Sequence, residues 1–247
     1  MAVTAVDDFR IGSVIGRGVS IFFRNIVAFA IVTVVLFIVP IVLTLFVFVT
    51  LEPVVAGILT MLVWMIAYFW LSAALVYGVV SDLRGNRAGV GQILSGAVSV
   101  LVPVLLLSIA VAILVGVGAL FLIVPGVILY VMFWVAVPAA VVERTGVIDS
   151  MRRSRELTKG HRWKIFFVLV IWAVIAWIVQ AVLMVVLGVP LEQAGMSPSG
   201  TSGASWILQV VNMLLGGIGA SILAVGYHDL RVVKEGIGSD EIARVFD

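Results

Sequence analysis

The 247-residue chain has no cysteine and only two histidines, His161 and His228. Without thiols there is no disulfide, no thiolate metal centre and no cysteine nucleophile, and the redox compartment is left open. Neither imidazole stands in an HExxH setting, and nucleophile-elbow and phosphate-loop patterns are missing as well. Charge is also scarce, at 11% of residues against about 25% in soluble proteins. These absences argue against an enzyme, and no cofactor is implied.

What is abundant is apolar surface. Hydrophobic residues make up 63% of the chain, the mean hydropathy is +1.29, and there are seven Trp and thirteen Phe. A soluble domain of this length has no interior large enough for them, so most must face lipid or other membrane spans. The composition defines an integral membrane protein.

Six segments are long and apolar enough to cross a hydrocarbon core of about 30 Å: 25–50, 54–80, 98–116, 120–142, 165–187 and 205–227. The third and fourth come from one uncharged stretch, 98–142, which as a single helix would measure about 68 Å and must therefore cross twice. Gly116 and Gly118 suit the turn between them. Pro125-Gly126 then falls near the start of the fourth span, and Pro40 inside the first is expected to loosen that helix. Gly216, Gly217, Gly219, Ala220 and Ser221 give the sixth span a small-residue surface for close helix approach.

The cations are segregated. On this layout all fifteen Lys and Arg residues fall on one side, seven of them between Arg144 and Lys164, and only Glu52 and Glu192 among the acids fall on the other. Short loops rich in Lys and Arg stay in the cytosol, so both termini are expected there. At the boundary each well-placed cation attracts anionic headgroups by roughly 1 kcal/mol. Membrane lipids are thus the expected partners, with a protein partner at the cytosolic face also open. Nucleic acid is not expected, because no aromatic platform is interleaved with the basic residues.

The segment preceding the first span is amphipathic. Arg10, Ser13, Arg17, Ser20 and Arg24 fall on one helical face and Ile11, Val14, Ile15, Gly18 and Phe22 on the other, with Asp7 or Asp8 placed to cap it. The same apolar stripe recurs at Val90, Ile93, Leu94, Ala97 and Leu101, and more weakly at Val147, Ser150, Met151, Ser154 and Thr158. Each copy precedes two spans. The expected fold is therefore all-α and polytopic: six transmembrane helices in three hairpins, each preceded by a cytosolic amphipathic helix. Ser239, Asp240 and Glu241 suit the cap of a last short helix carrying Ile242, Val245 and Phe246.

The span cores carry no ionisable residue, which argues against ion-coupled transport. Gln180, Gln209 and Asn212 are the most polar intramembrane candidates, and cross-helix hydrogen bonding is the simpler role for them. His228 beside Asp229 is weak evidence for catalysis, since neighbouring helical side chains point apart. Asp149 with Arg153, and Arg152 with Glu156, have the i,i+4 spacing of a paired, solvated face.

Three stretches, LFLIVPGVILYV, VVERTGVIDSMRRSRELTKGHRWKIF and GYHDLRVVKEG, resemble the membrane domain attached to some bacterial glycerophosphodiester phosphodiesterases and the related YciC-like inner-membrane proteins. The matching positions are Pro125, Gly126, Glu143, Gly146, Arg152, Arg153, Ser154, Leu157, Thr158, Gly160, Arg162, Trp163, Tyr227, Asp229, Leu230, Arg231, Glu235 and Gly236; Arg155 and His228 depart from the pattern. The resemblance implies a bacterial inner-membrane location and no hydrolase activity in this part, because in the fused enzymes that chemistry resides in a separate soluble barrel. It marks Glu143, Arg152, Arg153, Arg162, Trp163, Asp229 and Arg231 as a candidate surface for lipid headgroups or a partner. The expected function is an accessory or lipid-associated membrane module, with a small-molecule or lipid transporter as the alternative.

Overall fold

A computed structural model of the protein describes residues 9–189 and 203–236. Nine helices are present among these residues: α1 (Ile11–Arg24), α2 (Ile26–Thr50), α3 (Pro53–Leu83), α4 (Val90–Phe121), α5 (Ile123–Met132), α6 (Ala136–Glu143), α7 (Val147–Thr158), α8 (Arg162–Val186) and α9 (Gly203–Glu235). Six stretches, Ile26–Thr50, Pro53–Leu83, Val90–Phe121, Ile123–Glu143, Arg162–Val186 and Val210–Glu235, are long and apolar enough to span a membrane. The protein is an all-α, polytopic membrane protein.

Local chemistry accounts for the helix ends. Pro53 opens α3 at its first position, where no intrahelical amide bond is lost. Gly85 (φ 82°) and Gly160 (φ 89°) follow the ends of α3 and α7 in the left-handed region that a side chain disfavours. Pro40 lies buried inside α2, which nonetheless runs unbroken to Thr50.

The helices form three units, α1–α3, α4–α6 and α7–α9, joined in a cycle. The second span of each unit (α3, the α5–α6 pair and α9) lies at the centre, where α3, α6 and α9 touch one another pairwise. All three carry small, fully buried residues: Ala73, Ala74 and Val76 on α3, Ala136, Ala139 and Ala140 on α6, Ala224 and Val225 on α9. The first spans, α2, α4 and α8, stand outside. Val49, Leu120, Phe121 and Val185 are each more than 70% exposed, a density of bare apolar surface suited to lipid and not to water.

Each amphipathic segment docks on the second span of the preceding unit. α1 packs on α9, the start of α4 on α3, and α7 on α6. The buried positions are equivalent: Val14, Gly18 and Ile21 on α1, Ile93, Ala97 and Val100 on α4, Ser150, Ser154 and Leu157 on α7. The small residue in the middle of each set permits close approach. A Cβ added at Gly18 would lie 2.8 Å from the Ile222 Cα, and the Ser154 hydroxyl reaches the Met132 carbonyl at 2.9 Å.

Three expectations need correction. The second amphipathic segment is not a separate helix, because nothing between Val90 and Phe121 interrupts hydrogen bonding and it runs straight into the third span. That span runs beyond Gly116 and Gly118 to Phe121, and the chain turns at the extended Leu122. Gly118 instead faces Gly126 and Leu129, letting α4 and α5 meet closely below the turn. The fourth span is two helices, since Phe133–Val135 forms a turn that seats Trp134 against Gly226 of α9. The break turns the Ala136 N–H to Phe133, and the orphaned Met132 carbonyl is satisfied by Ser154 and Thr158 of α7. The expected caps at Asp7, Asp8 and Ser239 lie outside the described residues.

Candidate functional site

The ionic groups gather at one end of the bundle, where long-range pairs join α1, α3, α6, α7 and α9. Among the described residues all Lys and Arg lie there, and Glu52 alone of the acids lies at the opposite end. Every unit closes its second span with a carboxylate near this boundary: Asp82, Glu143 and Asp229. Asp82 and Asp229 are buried, Glu143 half-buried.

Each carboxylate is met by an arginine. Arg17 Nη1 donates to Asp229 Oδ1 at 2.6 Å across 212 residues of sequence. Arg24 pairs with Asp82, and Arg87 approaches the same carboxylate at 3.9 Å. Arg153 donates through Nε to Glu143 at 2.8 Å and pairs through its other arm with Glu235. Arg231 joins this cluster, 3.0 Å from Glu235 and 4.0 Å from Glu143, and the Tyr227 hydroxyl donates to Glu143 at 2.8 Å. Arg17 and Arg153 occupy equivalent positions of the repeat, each one residue before the small docking residue.

Of the candidate surface residues, then, Glu143, Arg153, Asp229 and Arg231 are joined in inward-facing clusters that lock helices together. Arg152 and Trp163 are exposed, Trp163 at 75%, and Arg162 is half-buried. The expected pairing along α7 is replaced. Arg153 turns to the long-range carboxylates on its inner edge, leaving Asp149 to Arg152 at 3.8 Å, three residues apart. His228 and Asp229 do not splay either: His228 Nδ1 lies 3.4 Å from the carboxylate that Arg17 holds. Gln180 Nε2 donates to Asn212 Oδ1, binding α8 to α9, while the Gln209 side chain lies outside the described part. The small surface of α9 takes Phe22 at Gly217 and Trp172 at Gly219.

The sequence pattern did not single out Arg17 and Arg24 as partners of buried acids. The signal available was their placement on a helix with a docked apolar face, combined with an acid at the close of each second span.

Arranged this way, the basic end presents outward cations around an internally neutralised frame. Arg84, Arg144, Arg155 and Lys159 are exposed and have no carboxylate partner among the described residues. Among the described residues no three His, Asp or Glu side chains gather at metal-ligand distance. Fold and charge together define a multi-pass α-helical membrane protein with one basic boundary. The chain belongs to the family described as a domain of unknown function, DUF7847, whose model matches residues 25–230. No curated protein and no solved structure matches it.

Proposed function

We propose that the protein is an accessory, lipid-associated membrane module that performs no hydrolysis of its own and holds anionic headgroups at a cytosolic basic end. Kinship with the phosphodiesterase membrane domains, and with it a bacterial inner-membrane setting, belongs to the same proposal. The observation that carries it is the sorting of charge. The carboxylates that close the second spans, Asp229, Asp82 and Glu143, are turned inward and neutralised by Arg17, Arg24 and Arg153, while Arg84, Arg144, Arg155 and Lys159 stay exposed and outnumber the exposed acids of α7, Asp149 and Glu156. A frame meant only to be soluble at its end has no need of such sorting, since exposed pairs would serve as well.

The test is purification in mild detergent with native mass spectrometry of retained lipid, followed by reconstitution for lipid-scrambling and uptake assays. The reading expects phosphatidylglycerol or cardiolipin to be retained over phosphatidylcholine, and retention to fall when Arg84, Arg155 and Lys159 are all changed to Gln. Equal retention of zwitterionic lipid would overturn it. Hydrolysis of phosphodiesters by the pure chain, or lipid movement between leaflets, would replace it with the enzyme or transporter reading.

A further inference from the structure

Beside the exposed cations lies a cavity of about 90 Å³ between α4 and the turn from α6 to α7, lined by Ser99, Val100, Pro103, Ala140, Arg144 and Thr145. That is several times the roughly 10–15 Å³ one water needs on this measure. The repeat explains why the space exists. Ser99 and Pro103 are the counterparts of Ser20 and Arg24 in the first unit, as the alignment of Ile11 with Val90 places them. In the first unit Arg24 reaches across to Asp82 at the end of the second span. In the second unit proline stands there, Glu143 is taken by Arg153, and the place between the helices is left open.

The charge of the site is inverted relative to the first unit. Its cation comes from the second-span side, as Arg144, and no carboxylate answers it among the described residues. Arg144 is also held in the left-handed region (φ 52°, ψ 36°), the one non-glycine residue so placed among those described. That conformation ends α6, a helix-terminating geometry that glycine adopts more readily than arginine. Thr145 Oγ1 lies 2.8 Å from the buried Ser150 hydroxyl, with either as donor, and Ser150 Oγ is also 3.4 Å from the Thr145 carbonyl; an incoming oxygen can take the Thr145 proton when Ser150 donates to Thr145 Oγ1. Along α4, exposed Val98, Val102 and Leu106 form an apolar stripe one residue from Ser99 and Pro103.

We propose that this cavity binds a phosphate group, with the Arg144 guanidinium and the Thr145 hydroxyl as its donors. The inference rests on the lipid-association reading and gives it a single site. A headgroup phosphate and a free phosphate ion offer the same oxygens, and the apolar stripe on α4 is where acyl chains would add contact.

The experiment measures binding and thermal shift of the detergent-purified full chain with short-chain phosphatidylglycerol, short-chain phosphatidylcholine and inorganic phosphate. Variants are Arg144→Lys, Arg144→Ala and Arg144→Gly. Glycine relieves the left-handed strain, so Arg144→Gly should be at least as heat-stable as wild type without ligand while binding phosphatidylglycerol about tenfold more weakly. Arg144→Lys should lose less than Arg144→Ala, because it keeps the charge but not the fork. A shift with inorganic phosphate that excess lipid cannot enlarge would support the site with free ion as its ligand. Wild-type preference for phosphatidylglycerol that persists in Arg144→Gly and Arg144→Ala would overturn the site and leave general lipid association standing. No preference in wild type, with no phosphate shift, would overturn both.

Discussion

Replacing Gly18 with alanine should separate docking from helix propensity. In an unpacked helix the change from glycine to alanine stabilises by about 0.5–1 kcal/mol. At Gly18 the new methyl would stand 2.7 Å from Ile222 Cγ1, 2.8 Å from its Cα and 2.9 Å from its N. Carbon contacts settle at about 3.5–4.0 Å, so α1 and α9 must part by nearly 1 Å. Two of the three atoms are backbone, and no rotamer change can relieve them. Overpacking of this kind costs about 1–3 kcal/mol, which exceeds the propensity gain. Gly16, two residues earlier, has nothing within 4 Å of its would-be Cβ and serves as the control in the same helix. Apparent melting in one detergent, with tryptic cleavage after Arg17 as a probe of α1 release, should place Gly16→Ala at or above wild type and Gly18→Ala below it. Equal melting and equal protection for the two variants would refute the close docking of α1 on α9.

Arg17→Ala should cost about 3–5 kcal/mol by leaving the buried Asp229 carboxylate uncompensated, and adding Asp229→Asn should recover much of it; a melting comparison with no recovery would deny the pair. Ser154→Ala with Thr158→Val should destabilise by about 1–3 kcal/mol, because the half-buried Met132 carbonyl loses both donors; unchanged thermal stability would count against that bond. Orientation is testable in this cysteine-free chain with Glu52→Cys and Arg155→Cys, both exposed. An impermeant maleimide should label the first in intact cells and the second only after permeabilisation.

Span number and charge segregation were legible in the sequence because both depend on runs of one residue class. The recurring apolar stripe was legible too, down to equivalent buried positions at Val14, Ile93 and Ser150. What each stripe docks on was not, since stripe periodicity does not name a partner. Arg17 and Arg24 looked like a solvated face, and only the return of α9 and α3 beside α1 turns them inward. The turn at Phe133–Val135 had a partial signal in Pro138, which has no N–H to give the Trp134 carbonyl, but the place Trp134 finds over Gly226 of α9 was hidden. The phosphate cavity rests on an absence, a proline where the first unit has arginine, which becomes meaningful only once the units are superposed as neighbours.

The closed cycle of units has a consequence for biogenesis. α4 and α7 dock on spans made before them, but α1 is made before every other described helix and its partner α9 after all of them. Until then Gly18 and Arg17 lack their α9 partners, Ile222 and Asp229, while Arg24 already has Asp82 of α3 within its own unit. A nascent chain stalled before α9 should therefore carry an amphipathic arm held only at its Arg24 end, with the Val14–Gly18 face bare, a mark by which quality control can tell an unfinished bundle from a closed one.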